Sequence, residues 1–239
     1  DESDFTGSFD GQGYEIKDLF INHTSERCIG LFGRTDSTTE IKDVGIIDAN
    51  VTGGNELDMV GTLVGWNYGT ILRSYSTGNV TGNNNDYTGG LVGQNRGTIS
   101  ESYSTVTVEG YNEVGGLVGE NFEGTIENCY ATGDVDGYNY VAGLVGGNAG
   151  TVIDSYSTGS LTYSTSNYGG LTVDLWGIGT VSNSFWDVDT SGETTSGGGT
   201  GKSTSEMTMI PTYTNTSTVG LDSAWDFVGK MFNDTGNAD

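Results

Sequence analysis

The chain has 239 residues, with 32 acidic and 8 basic side chains and a formal net charge of −24. A surface this acidic repels nucleic acid and anionic lipid surfaces, so nucleic-acid binding is excluded as an expected function. No apolar run approaches the roughly 18 residues of a membrane-spanning helix, so no membrane insertion of this segment is expected.

A short phrase of the type Gly-Leu-Val-Gly recurs along the chain. Its central leucines lie 32, 28, 26, 27 and 27 residues apart: Leu31, Leu63, Leu91, Leu117, Leu144 and Leu171. A fixed period of roughly 20–50 residues is typical of solenoids, in which each repeat buries its apolar face only against its neighbours. A propeller blade needs a longer repeat, of about 40 residues. The sequence therefore predicts an all-β fold, a parallel β-helix of about six coils with a stacked leucine column inside.

Each central repeat also carries an asparagine four residues after the leucine. A glycine and a Thr-Ile or Thr-Val pair follow it: Asn67, Asn95, Asn121 and Asn148. Asn and Gly tolerate the left-handed backbone of tight turns, while Thr, Val and Ile favour strands. We expect the asparagine amides to hydrogen-bond from coil to coil.

An aromatic residue follows a small residue in five repeats: Tyr75, Tyr103, Tyr130, Tyr156 and Phe185. If strict alternation holds backwards from an inward Val80, these rings point outward and form a stripe that binds carbohydrate or protein. A bulge at Gly78 would instead turn them inward or against a flanking loop. The sequence leaves both arrangements open.

The composition predicts two segments. Residues 1–186 are expected to form the β-helix, and residues 187–239 an irregular capping segment in which Ser203 and Glu206 make a helix capping box. Trp225 and Phe227 are expected to cover the last coil. The N-terminal coil has no comparable cap beyond Phe5 and Phe9.

A solenoid with one covered and one open end can associate head to tail into filaments. The expected joint connects the N-terminal coil of one copy to the C-terminal cap of the next. Its candidate residues are Phe9, Ile16, Leu19, Trp225 and Phe227.

These phrases resemble the GLUG-motif repeat proteins. The opening Phe9-Asp10-Gly11-Gln12-Gly13-Tyr14 is similar to the first coil of that family, and Ser184-Phe185-Trp186-Asp187 and Ala224-Trp225-Asp226-Phe227 are similar to the segment that often ends such arrays. The resemblance implies right-handed β-helix modules of large secreted or surface proteins, including adhesin-like ones. It implies no activity and supplies no catalytic residues.

Catalytic and cofactor motifs are poorly represented. His23 is the only histidine, so a zinc site with several histidines is ruled out and a Ser-His-Asp triad has a single candidate base. The stretch 197–203 has Ser196 where a phosphate-binding loop requires glycine. We therefore expect no cofactor and no enzymatic activity. The alternative is a β-helix that binds or degrades polysaccharide, since carboxylates for acid-base chemistry are plentiful.

Calcium is the weaker alternative to a metal-free protein. The chain lacks an Asp-x-Asp-x-Asp-Gly loop. The nearest groups are Asp187, Asp189 and Glu193, and the pair Asp134 and Asp136. Such carboxylates more often belong to solvated turns.

Five Asn-x-Ser/Thr sequons are glycosylation candidates: Asn22, Asn50, Asn79, Asn215 and Asn233. Some arise by chance in a chain rich in Asn, Ser and Thr. Asn79 immediately precedes an inward Val80, so its side chain is expected to point outward.

Location and partners are inferred from the same features. Asp1 rather than Met at the start favours a processed or trimmed product. We expect an extracellular or cell-surface structural or adhesive protein whose partners are further copies of itself or other surface proteins and glycans. Cys28 and Cys129 are expected to be free, packed thiols, because they lie about three coils apart.

Overall fold

The computed structural model describes residues 4–23, 26–53, 59–84 and 87–225. Within them, 29 short strands form three parallel sheets that wind into a solenoid of about six coils. This confirms the prediction of an all-β parallel solenoid. Strands are numbered in chain order and grouped by sheet below.

Sheet I contains the strands that begin directly after the leucine of each Gly-Leu-Val-Gly phrase and the strands that follow each Asn-x-Gly turn. They are β1 (Ser8–Asp10), β5 (Phe32–Arg34), β6 (Glu40–Lys42), β9 (Val64–Asn67), β10 (Thr70–Leu72), β13 (Val92–Asn95), β14 (Thr98–Ser100), β18 (Val118–Glu127), β22 (Val145–Ile153), β26 (Thr172–Asp174) and β27 (Thr180–Ser182).

Sheet II contains the aromatic and valine positions. Its strands are β2 (Glu15–Lys17), β3 (Phe20–Asn22), β7 (Gly45–Thr52), β11 (Tyr75–Thr81), β15 (Tyr103–Ser104), β16 (Thr107–Glu109), β19 (Tyr130–Ala131), β20 (Val135–Gly137), β23 (Tyr156–Ser157), β24 (Leu161–Tyr163), β28 (Phe185–Asp187) and β29 (Thr200–Lys202).

Sheet III precedes each Gly-Leu-Val-Gly phrase. Its strands are β4 (Cys28–Ile29), β8 (Met59–Val60), β12 (Tyr87–Gly89), β17 (Asn112–Gly115), β21 (Asn139–Ala142) and β25 (Tyr168–Gly169). Three short helices follow the coils: α1 (Val188–Ser191), α2 (Thr204–Met207) and α3 (Ile210–Thr214).

Apolar side chains stack in columns inside the solenoid. The central leucines of five repeats have no exposed surface: Leu63, Leu91, Leu117, Leu144 and Leu171. A second column comes from the Thr-Ile strands and consists of Ile41, Ile71, Ile99, Ile126 and Val152, all equally buried. Burying such side chains contributes about 1.5–3 kcal/mol each, so these columns supply much of the stability of a chain that is only 33% hydrophobic.

The predicted asparagine column is confirmed. The Nδ2 of Asn67 donates to Oδ1 of Asn95 at 2.8 Å, Asn95 donates to Asn121 at 2.9 Å, and Asn121 donates to Asn148 at 3.0 Å. Thr35 continues the chain of bonds into the preceding coil by donating to Oδ1 of Asn67. We call Asn67, Asn95, Asn121 and Asn148 the inner Asn column. Its polar groups are buried but satisfied, so it fixes the coil register without an unpaired-group penalty.

The glycines of the repeated phrase allow two sheets to touch through their backbones. A Cβ placed on Gly93 would lie 2.5 Å from the amide nitrogen of Val60, and one on Gly119 would lie 2.6 Å from that of Thr88. Sheets I and III therefore close the narrow edge of each coil with no room for a side chain. This contact explains why the phrase needs glycine.

A left-handed corner before sheet II was not predicted. One residue in each coil has positive φ: Asp43 (53°), Arg73 (46°), Glu101 (49°), Asn128 (54°), Asp154 (48°) and Asn183 (47°). Only Asn and Asp among these types adopt that conformation readily. In the sequence, this corner is marked by a polar residue that precedes a small residue once in each coil. The polar residue changes between Asp, Arg, Glu and Asn, so no repeated residue type pointed to the corner.

Trp186, the last residue of the predicted β-helix segment, fills the C-terminal end of the coils. With 5% exposure, it lies in the inward position that Ser76, Ser104, Ala131 and Ser157 occupy in earlier coils. Its indole packs on Gly170 and donates to the carbonyl of Glu193. Its large side chain therefore fills the last coil.

Backbone groups at this end are also bonded. Gly170 donates to the carbonyl of Thr195, and Gly197 donates to that of Thr172. Beyond residue 186, β29 still pairs with β28, and the capping box of Ser203 and Glu206 is present at α2. Trp225 packs on Tyr156, Phe185 and Tyr213 at the side of the rod, whereas Phe227 lies outside the described residues.

Candidate interaction surfaces

Four tyrosines form a continuous stack on the outer face of sheet II. Ring centroids of Tyr75, Tyr103, Tyr130 and Tyr156 are 4.8, 4.7 and 5.0 Å apart, and successive planes differ by 2°, 3° and 8°. The residues flanking Tyr75, Ser74 and Ser76, are buried, so the ring points outward. The register shift near Gly78 is also present. The outward alternative is thus the observed one, although the chain bulges next to it.

The faces of these rings are already covered. Each tyrosine lies against the next, the free face of Tyr75 lies over Gly45, and Trp225 follows Tyr156 at 6.2 Å. A sugar packs its C–H face on an aromatic face, and this stack offers only ring edges. Burial, and then the hydrogen bond to Glu15, raise the pKa of Tyr75 to about 12. The stack stabilises the coils and presents neutral phenol edges at physiological pH.

Arginines and aromatic rings alternate along the outer face of sheet I. The guanidinium carbon of Arg34 lies 4.6 Å from the Trp66 ring centroid, and that of Arg96 lies 4.2 Å from the Phe122 centroid. Phe122 in turn meets Trp176 edge to face at 5.8 Å. Such cation–π contacts contribute about 0.5–2 kcal/mol each. Sequence reasoning missed this strip because each coil contributes a different residue type.

A cavity of about 540 Å³ lies at the N-terminal end of the coils. Its lining combines apolar with charged side chains: Phe5, Leu31, Phe32, Met59 and Trp66, and Asp4, Glu26, Arg27 and Arg34. The end strands β4 and β5 pair on one side with β8 and β9. Leu31 and Phe32 are half-buried although the leucines of later coils are fully buried.

The predicted assembly residues fall into two groups. Phe9, Ile16 and Leu19 are half-buried and pack on the core of the first coil. Trp225 is half-buried at the side of the last coils and already contacts three rings of its own chain. The two groups therefore lie in different coils of one chain, and the head-to-tail joint between copies stays a prediction.

Three of the predicted sequons lie on one face of sheet II. Asn50 and Asn79 are register partners in β7 and β11, and Thr52 and Thr81 are partners as well. Asn22 in β3 is the partner of Thr52. All three asparagines are exposed. Asn215 is exposed after α3, where its Oδ1 accepts from the Ser217 amide, and Asn233 lies outside the described residues.

The carboxylates considered for calcium have structural partners. Asp187 caps α1, and Asp189 accepts from the backbone of Thr204. Glu193 accepts from the Tyr163 hydroxyl at 2.6 Å, and Asp134 accepts from Ser160. Within the described residues no group of three or more His, Cys, Asp or Glu side chains converges in a way that could hold a metal ion.

The two thiols are not joined by a disulfide. Cys129 is buried in a position filled by serine in other coils, and burial raises the pKa of its thiol to about 12. Cys28 lies part-buried with its Sγ 4.0 Å from the Met59 sulfur.

Among the helices that the structure describes, none is long and apolar enough to cross a membrane.

Comparison with known proteins identifies the repeat. A family model described as the GLUG motif matches residues 84–109 and 110–136. The chain carries the GLUG motif. Each match spans one coil of the solenoid, from the turn before sheet III to sheet II, which confirms the resemblance predicted from the sequence.

Two relatives share part of the chain. Halomucin of Haloquadratum walsbyi is 40% identical over 81 residues, which is 34% of this chain and 1% of that protein. A candidate Gly-rich membrane protein of Evansella cellulosilytica is 37% identical over 67 residues, or 28% of this chain and 8% of the relative. The GLUG-motif chain therefore spans a small fraction of the length of these relatives.

A solved structure shares the fold. A Bacteroides ovatus protein, described as a candidate immunoglobulin A1 protease, superposes with a TM-score of 0.68 over 83% of this chain and 70% of that one. Sequence identity is 20%, so the likeness concerns the fold alone.

Proposed function

We propose that this chain is a non-enzymatic, extracellular or cell-surface β-solenoid that acts as a structural and adhesive segment through its outer face. The single observation behind it is the division of polar residues between the inside and the outside of the solenoid. The inner Asn column is bonded within the solenoid, whereas Asn50 and Asn79 and acidic residues of sheet II such as Glu109 and Asp136 are exposed. Halomucin and the Gly-rich membrane protein, by their names, support a location at the surface.

The non-enzymatic part of the proposal is supported by what the carboxylates do. Asp43 binds the guanidinium of Arg73 in a bidentate pair, Glu15 accepts from Tyr75, and Glu193 accepts from Tyr163. These acids bond to side chains of other coils rather than converging on one point. Reproducible cleavage of a polysaccharide by the purified chain would contradict this part and favour the polysaccharide-degrading alternative.

Location is tested on intact cells of the producing organism. Antibodies raised against the purified chain should label whole cells or the culture medium, and external protease should remove the cell-bound label while a cytoplasmic marker survives. Labelling that appears only after lysis would overturn the proposal.

A second candidate function is head-to-tail assembly. It is favoured by the N-terminal end of the coils, where β4 and β5 are the end strands of their sheets. The joint would place Phe9, Ile16 and Leu19 of one copy against Trp225 and Phe227 of the next copy. Phe227 lies outside the described residues. Because residues 195–197 already occupy backbone groups of the last coil, this joint would rely on side-chain packing. Electron microscopy should show long fibres that disappear when residues 1–20 are removed. Dispersed short rods from the intact chain would rule it out.

A further inference from the structure

The outer face of sheet II carries a column made of Phe20, Asn50, Asn79 and Thr107, which are successive register partners. We call these four residues the outer sequon column. In-register parallel strands lie about 4.8 Å apart, so the four side chains leave the sheet side by side at that spacing. Two complete sequons, Asn50-Val51-Thr52 and Asn79-Val80-Thr81, are thereby superposed residue by residue.

The amides of this column are available, in contrast to those of the inner Asn column. Asn50 and Asn79 are exposed, and across the described parts of the chain neither side chain has a hydrogen-bond partner in the protein. Val51 and Val80 between them and their threonines are buried, which fixes each sequon in an extended strand with Asn and Thr both outward.

An exposed aromatic ring lies next to Asn50. Phe20 is 69% exposed, although its neighbour Ile21 packs on the core. No described contact of the chain covers the Phe20 ring. A large exposed apolar side chain beside a polar attachment point is matched by a pyranose, whose C–H face packs on an aromatic ring while its hydroxyls remain in water. Asn79 has only Thr107 on its far side.

We propose that Asn50 rather than Asn79 is the N-glycan attachment site of the outer sequon column, that its first sugar packs on Phe20, and that its occupancy excludes Asn79. A sugar ring with its substituents is wider than one inter-strand spacing, so two adjacent rungs cannot both carry a glycan without distorting the column. In the next coils the sequon is replaced by Thr107-Val108-Glu109 and Asp134-Val135-Asp136, so within this column only the first coils offer a sequon.

The chemistry needs one co-reactant, a lipid-diphosphate-linked oligosaccharide. The Asn50 amide nitrogen forms a bond to the anomeric carbon of the first sugar while the bond from that carbon to the phosphate oxygen breaks. The lipid diphosphate leaves with the electron pair, and the amide loses one proton. The inference rests on the proposed extracellular role, because this transfer takes place outside the cytoplasm.

The first test maps occupancy. The full chain, with Asn22→Gln to remove the neighbouring sequon, is secreted from a host that modifies a co-expressed reporter glycoprotein, and glycopeptides are read by mass spectrometry. We expect sugar on Asn50, little on Asn79, and a several-fold rise at Asn79 in Asn50→Gln. Asn79→Gln is the matched control and should leave Asn50 unchanged. Molecules that mostly carry both glycans, or no sugar on Asn50 beside a modified reporter, would overturn the proposal.

The second test isolates Phe20. The glycan should raise the melting temperature of the chain above that of Asn50→Gln, and most of this rise should vanish when both proteins also carry Phe20→Ser. A rise that survives Phe20→Ser in full contradicts packing of the sugar on the ring. Both tests are independent of location on native cells, so their failure is distinguishable from failure of the proposed function.

Discussion

Asparagine occurs in two columns of this solenoid with opposite roles. Asn121 of the inner Asn column is fully buried and bonded to Asn95 and Asn148, whereas Asn79 of the outer sequon column is exposed and bonded to no other described side chain. Both follow the same coil period and both sit in strands. The distance of each asparagine from a buried Leu or Val sets the side of the strand on which its side chain lies. An inward asparagine bonds between coils and fixes their register, whereas an outward one is exposed to solvent.

The core sets the largest expected effect. Leu117→Ala should lower the free energy of unfolding by about 2–5 kcal/mol, because the cavity lies between fully buried neighbours above and below. Leu19→Ala is the control. Leu19 is half-buried in the first coil, so its removal should lower the free energy of unfolding by less. Chemical denaturation of both variants measures the difference. Equal small losses would mean that the leucine column does not carry the core.

The two asparagine columns are compared directly by alanine substitution. Asn121→Ala should cost about 1–3 kcal/mol, because in a buried site it removes one acceptor of the Asn95 amide and the donor to Asn148. Asn79→Ala, in unglycosylated protein, should change stability by less than about 0.5 kcal/mol. If both variants unfold at the same denaturant concentration, the inner amide chain contributes no more than surface polarity does.

The corner ion pair predicts a pH dependence. Hydrogen bonds from Arg73 hold the pKa of Asp43 below its usual range. A depressed carboxyl pKa means stabilisation that is complete above the unfolded value of about 3.9 and is lost as pH falls through the folded value. Because the pair is partly exposed, Asp43→Asn should cost about 1 kcal/mol or less at pH 7.

Denaturation of Asp43→Asn and the unmodified chain at pH 7 and again at strongly acidic pH checks this sign. The two proteins should converge in acid. A stability difference that grows as pH falls would contradict the assigned role of the ion pair.

The smallest expected effect concerns backbone strain at the left-handed corner. Glu101 is exposed with φ of 49°, whereas Asn128 occupies the same corner one coil later. Glu101→Asn should therefore raise stability by about 1 kcal/mol or less, since Asn tolerates this conformation. Glu109→Asn, on an exposed strand position, provides the control and should give no gain. Thermal melts that rank the two variants the other way would locate the effect in charge rather than backbone.

Sequence reasoning succeeded where every coil repeats the same residue. The central leucines and Asn95 or Asn121 have one partner type above and below, so period alone fixes their contacts. It was incomplete where coils differ. Period alone left the orientation of Tyr75 open because a bulge at Gly78 would have turned the ring inward, and the packing of Trp186 on Gly170 depends on a last coil unlike the others.

The surfaces were harder still to predict. Arg34 and Trp66 meet only because adjacent coils happen to supply a cation and a ring at one register position. The exposure of Phe20 next to Asn50 likewise requires the pairing of β3 with β7, which no local pattern specifies. The repeat period predicts the contacts inside the rod, where every coil has the same residue. The contacts on the outer surface depend on positions where one coil differs from the next.

The most direct test of the inside–outside register is a cysteine crosslink across the outer sequon column. In a Cys28→Ser, Cys129→Ser background, Asn79→Cys with Thr107→Cys places two thiols on register partners. Their Cα spacing of about 4.8 Å falls within the range of about 4.4–6.8 Å that a disulfide accepts. Asn79→Cys with Glu109→Cys is diagonal, at about 7–8 Å, and should not close. Peptide mapping after mild oxidation should find the first crosslink and not the second, whereas a diagonal crosslink, or none in either protein, would contradict the register on which the whole account rests.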